Sequence, residues 1–171
     1  MTETRLTTIA GALVAAALTA TTANAQALPF SLRVQQPTGA SVLPDGGTFS
    51  FAADAVGRVS EATLVVTYRG TGTAVLTFAE ISGSNDFVFF GPPEFNLTVL
   101  QPNQAINFTI RFAPSSSARV SGGLRFGYTD TPPPPVPPAQ AQQPRIGTFS
   151  LGYTGVAPEF VFTVVPQPTG S

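Results

Sequence analysis

The 171-residue sequence contains no cysteine, no histidine and no lysine. Each absence removes a class of chemistry. Without cysteine there is no disulfide framework and no thiolate metal site. Without histidine the commonest general base and metal ligand is gone. All eight basic residues are arginine, so no amine is available for Schiff-base or nucleophilic work. Charge is sparse as well: 10% of residues are charged and the formal net charge is -1. That balance gives no electrostatic footprint for nucleic acid or for an anionic membrane surface. The surface must instead be covered by Thr, Ser, Gln, Asn and Gly.

What is present is β chemistry. The chain is 43% apolar, with 14 Phe, 17 Pro and 16 Gly. Phe, Val and Thr between frequent turn residues is the composition of an all-β protein. The length suffices for one domain with a real core, not for two.

The N-terminus reads as an export signal. An apolar run, Ile9 to Leu18, follows Arg5 and precedes the A-x-A site Ala23-Asn24-Ala25. The run is short and Ala-rich for a membrane span. Residues 1–25 are therefore expected to be a signal peptide, cleaved after Ala25. No later apolar run reaches spanning length, so the mature form is expected to have no membrane partner. A cysteine-free exported chain fits a bacterial secreted or cell-envelope protein.

Strand signals then recur at intervals of about ten residues, separated by turn chemistry. Expected strands are Phe30 to Val34, Thr48 to Ala52, Ala62 to Tyr68, Leu76 to Ile81, Phe87 to Phe90, Asn96 to Leu100 and Ile106 to Phe112. Two more surround Leu124-Phe126-Tyr128 and Phe149-Leu151-Tyr153. Ile106, Phe108, Ile110 and Phe112 alternate with polar residues most cleanly. Gln36-Pro37-Thr38-Gly39, Pro44-Asp45-Gly46-Gly47 and Val56-Gly57-Arg58 read as turns. No window carries a helical apolar period. One wet and one dry face per strand excludes a parallel α/β sheet and predicts an antiparallel β-sandwich. Thr131 to Pro144 is a Pro-rich insert between two strong strands, expected to be a solvated hairpin loop.

Gln-Pro-Thr-Gly occurs twice, at Gln36–Gly39 and again at Gln167–Gly170, each time after a β-prone stretch. Residues 28–158 then read as one module and 159–171 as a stub resembling the start of a second. The stub holds Phe160, Phe162 and Val164 in an uncharged run. These three are candidate interaction residues, because such a run can add as a strand to an open sheet edge of a neighbouring molecule.

In order along the chain, several pieces resemble the abnormal spindle–hydin (ASH) type of immunoglobulin-like domain. They are Gly47-Thr48-Phe49-Ser50-Phe51, Thr63 to Gly72, Gly83-Ser84-Asn85-Asp86-Phe87, Leu100-Gln101-Pro102-Asn103, Ile106 to Pro114, and Leu151 to Gly155. In bacteria such domains occur in secreted choice-of-anchor D domain-containing proteins. Asn103 stands where the pattern has Gly, and Asn tolerates the left-handed conformation. The resemblance implies an immunoglobulin-like sandwich of seven to eight strands, used for adhesion or assembly, with no catalytic residues.

The carboxylates Asp45, Asp54, Glu61, Glu80, Asp86, Glu94 and Asp130 are spread singly through turns and strands. Nothing pairs them as a glycosidase requires, and no loop gathers the oxygens of a Ca²⁺ site. No enzyme activity, cofactor or metal is expected. Three readings stand: a structural, adhesive or protein-binding module, a carbohydrate-binding accessory module using aromatics such as Phe87 to Phe90, and a periplasmic chaperone-like sandwich. The partner is an unidentified protein or glycan. N-terminal sequencing of the exported chain is expected to begin at Gln26; a chain still beginning at Met1 outside the cytoplasm contradicts the leader.

Overall fold

Ala62 to Tyr68 and Ile106 to Phe112, the two best alternating runs, lie side by side in one sheet. They belong to β4 (Ser60–Tyr68) and β8 (Ala105–Phe112), paired antiparallel with Leu64 opposite Phe108 and Ala62 opposite Ile110. Their apolar faces therefore coincide, as a period of two requires. The computed structural model describes residues 28–135 and 142–158. The cleavage residues Ala23 and Ala25 and the stub residues Phe160, Phe162 and Val164 lie outside them.

The remaining strands are β1 (Phe30–Gln36), β2 (Gly39–Leu43), β3 (Thr48–Ala52), β5 (Thr73–Gly83), β6 (Phe87–Phe90), β7 (Val99–Leu100), β9 (Val120–Thr131) and β10 (Arg145–Val156). They form two five-stranded sheets, ordered β2-β1-β4-β8-β6 and β3-β10-β9-β5-β7. Among the described residues there is no helix. The order β1-β4-β8-β6 opposite β10-β9-β5 is that of the two sheets of an immunoglobulin constant-type domain. β3 carries the path of the first strand into the second sheet, and β2 and β7 are short additions. The fold is an immunoglobulin-like β-sandwich.

The switch between sheets is set by one turn. Gly47 N–H donates to Pro44 O at 2.9 Å, and Gly46 takes φ 71° at the position that needs a left-handed residue. Asp45 Oδ1 accepts from Ser150 N–H at 2.8 Å, and Gly46 N–H donates to Ser150 O at 2.8 Å. The turn is thereby pinned to β10, and β3 leaves it parallel to β10, with Phe49 opposite Tyr153. Asn103 adopts φ 66°, the left-handed conformation expected of it. Its Oδ1 accepts from Arg69 Nη1 at 2.8 Å.

Three strands differ from their sequence expectations. β2 is an addition, because its side chains are exposed and give no alternation; the expected turn at Gln36 to Gly39 joins it to β1 as a hairpin. β5 is longer than Leu76 to Ile81 and bulges between Leu76 and Phe78. The expected strand Asn96 to Leu100 shrinks to Val99–Leu100. Consecutive turn bonds take up the rest: Phe95 N–H to Pro92 O, Leu97 N–H to Glu94 O and Thr98 N–H to Phe95 O.

The core is aromatic. Phe126 stacks on Phe149 at 4.9 Å and meets Phe108 at 5.0 Å; Phe108 in turn stacks on Phe89 at 5.2 Å. A second group joins Phe87 to Phe112 at 4.9 Å and to Tyr153 at 4.5 Å, with Phe51 alongside. Both groups contain rings from both sheets. Each fully buried Phe contributes about 1.5–3 kcal/mol of transfer free energy. The packing leaves no room at Gly155, where a Cβ would run into the Phe112 ring.

At one end a polar bond crosses between the sheets. Tyr68 on β4 donates its Oη to Asp130 Oδ1 on β9 at 2.5 Å. Asp130 is only 6% exposed and is the single buried polar or charged residue among those described. Burial, then the hydrogen bond to Asp130, push the Tyr68 phenol up to about 12. Burial alone takes Tyr153 up to about 12. Tyr128 is raised by burial and then by the charges of Asp130 and Asp45.

Gly155→Ala is expected to cost about 1–3 kcal/mol by overpacking against Phe112, read as a lower urea midpoint; an unchanged midpoint would mean that the ring can step aside. Tyr68→Phe is expected to cost about 1–3 kcal/mol by orphaning Asp130, and adding Asp130→Leu should restore most of it. Unfolded phenols ionise near pH 10, below their folded values. Their stabilising contribution is therefore whole below about pH 10 and is lost as pH rises through about 12. No lysine or cysteine titrates in that window. Near-ultraviolet phenolate absorbance should rise together with unfolding, and a phenolate signal complete near pH 10 in folded protein contradicts the burial.

Candidate interaction edge

The short β7 has a consequence for β5. β7 pairs only with Ala74 and Val75. β9 covers the other side of β5 from Thr73 to Gly83. From Leu76 to Gly83, therefore, no strand lies on the outer side of β5 among the described residues. An unpaired edge presents free N–H and C=O groups to a further strand.

The bulge at Thr77 decides which side chains flank that edge. Beyond it Phe78, Glu80 and Ser82 stand opposite Gly127, Arg125 and Gly123, on the solvent face. Ala79 and Ile81 stand opposite Phe126 and Leu124, on the core side. Ile81 is nonetheless 39% exposed, because nothing covers it laterally. Phe78 lies against Gly127, where a Cβ would strike its ring. Arg125 sits over the same ring at 5.3 Å and reaches Glu80 at 4.0 Å.

The neighbouring edge of the other sheet repeats the arrangement. On β6, Phe87 and Phe89 turn inward, while Val88 and Phe90 are exposed, at 43% and 46%. Arg111 lies over the Phe90 ring at 5.2 Å and pairs with Glu61 at 2.8 Å. Leu97 and Val99 are exposed on the segment between the two edges. Phe78 is thus exposed on the outer face of one sheet and Val88 and Phe90 on the outer face of the other, with Ile81 at the β5 edge and Leu97 and Val99 on the segment that follows β6. The sequence marked Phe87 to Phe90 as aromatic on both faces; two of those rings belong to the core. It did not mark Phe78 or Ile81, because the bulge changes their faces.

Asp45 caps a turn, Glu61 and Glu80 meet arginines, and Asp130 meets Tyr68. No group of three or more His, Cys, Asp or Glu among the described residues could hold a metal. Two open clefts, each of roughly 500 Å³, lie at opposite ends of the sandwich. One is lined by Gln36, Ser50, Asp54 and Glu61, the other by Arg69, Asp130 and Arg145. In the second, Arg69 is already bonded to Ser31 and Asn103. No helix among the described residues is long and apolar enough to cross a membrane.

No family model matches the chain, and no curated protein does. Among solved structures it is similar to the ASH/PapD-like domain of human CEP192 (PapD-like domain 7), with 12% identity and a TM-score of 0.38, over 75% of this chain and 87% of that one.

Proposed function

We propose that this is a non-catalytic immunoglobulin-like module, exported to the cell surface or envelope of a bacterium, that works by binding protein. The observation that carries the reading is the pair of incompletely covered edges on β5 and β6, each flanked by exposed apolar side chains, Phe78 and Ile81 on one and Val88 and Phe90 on the other. Soluble monomers rarely gather apolar surface in this way without a use for it. The A-x-A leader and the absence of cysteine support the location. The order of ASH-type motifs, with Asn103 in the conformation of the family's Gly, supports a place among choice-of-anchor D proteins, in a structural or adhesive role.

The carbohydrate-binding alternative draws less support. A sugar stacks on an uncovered aromatic face, and each exposed ring at this side already carries an arginine over it.

A photo-crosslinking residue at Val88 in the producing cell should yield discrete protein adducts. The same residue at Asn107, on the outer face of β8, should yield few. Equal adducts at both positions would defeat the reading. Reproducible glycan-array binding that disappears in Phe90→Ala would move the chain to the carbohydrate-binding class.

A further inference from the structure

We infer that the open edge of β5, from Leu76 to Gly83, is the acceptor for the segment Phe160–Val165 of a second copy of this chain. The inference rests on the protein-binding reading of this side and names its occupant.

Among the described residues four sheet edges are open, and three are poor acceptors. β2 has five residues and ends at Pro44. β6 has four and runs into Gly91-Pro92-Pro93, which cannot extend a ladder. On β3 the Ser50 carbonyl already accepts Gln36 Nε2 at 2.9 Å. β5 alone offers a long unpaired stretch with an exposed apolar side chain, Ile81, on its core side.

The donor matches in length and chemistry. Phe160 to Val165 is an uncharged six-residue run that follows Pro158-Glu159 and ends at Pro166. The two prolines limit a ladder here to the seven residues between them, because neither can donate to one. Placed with Phe160, Phe162 and Val164 on the core side, it covers Ile81 and continues the hydrophobic interior. Main-chain bonds supply the affinity and the alternate side chains supply the selectivity.

Reach argues for a second copy over the same chain. From β10 to the free side of β5 is three inter-strand steps, roughly 14 Å at about 4.8 Å each. The chain also leaves β10 beyond the row holding Gly83, since Gly83 is opposite Gly122 and Gly122 is opposite Tyr153. At about 3.3 Å per extended residue, the crossing takes on the order of six residues. That uses nearly the whole run before Pro166. A neighbouring molecule can present the run intact.

The chain has no cysteine, so engineered thiols report cleanly. Full-length Ile81→Cys is mixed with differently tagged full-length Val164→Cys under mild oxidation. A disulfide-linked heterodimer is expected as the main product, and it should be lost when Asn107→Cys replaces Ile81→Cys. In the unaltered full chain, the amides of residues 77–83 should gain exchange protection as concentration rises. Cross-linking no greater than with Asn107→Cys overturns the inference. So does a chain carrying both thiols that closes on itself at every dilution, or protection that does not change with concentration. Adducts at Val88 to other proteins would survive each of these failures and leave the protein-binding reading standing.

Discussion

Two sheets with no covalent link between them are held face to face by a connected set of aromatic rings. An antibody domain of this topology joins its B and F strands by a disulfide packed on a tryptophan. This chain has neither cysteine nor tryptophan. Its B and F equivalents, β4 and β9, meet instead through the Tyr68–Asp130 hydrogen bond. Phe108, Phe126 and Phe149 fill the interior beside it. Rings suit this task because their edges and faces attract at the separations seen here, about 4.5–7 Å between centroids. Holding the sheets through packing rather than a cross-link makes the fold independent of the redox state around it.

The dependence runs outward from that core. Alternation on β4 and β8 was readable because one face of each strand is wholly buried, so the sequence had to keep a period of two. Thr48 to Ala52 and Phe87 to Phe90 were legible to the residue for the same reason. The turn at Pro44 to Gly47 was legible from its residues, but its pinning to Ser150 was not, since that contact joins positions far apart in sequence. β2 was hidden because it buries no face and therefore constrains no pattern.

The candidate edge was illegible for a different reason: it is made by what fails to form. Asn96-Leu97-Thr98 has strand-forming character, and a strand there would have paired further along β5. The bonds that start at Pro92 and Glu94 draw those residues into turns instead. One extra residue at Thr77 then moves Phe78 to the solvent face and Ile81 to the core side. Neither event leaves a mark in composition or periodicity, because each depends on a local hydrogen-bond choice that overrides propensity. The stub reading, by contrast, rests on sequence alone, on the repeated Gln-Pro-Thr-Gly and the uncharged run Phe160 to Val165.

Sparse charge shapes what such an edge can do. Natural edges are commonly guarded by charged side chains. Here the guard at the edge is Glu80, which leans back toward Arg125 at 4.0 Å. Arg125 and Arg111 are themselves occupied with Phe78 and Phe90. On β5 from Leu76 to Gly83 the only charged side chain is therefore Glu80, and it has a counter-charge beside it. Recognition there must rest on backbone hydrogen bonds and apolar cover, and salt screens those far less than ion pairs. Strand addition at such an edge would therefore depend little on ionic strength.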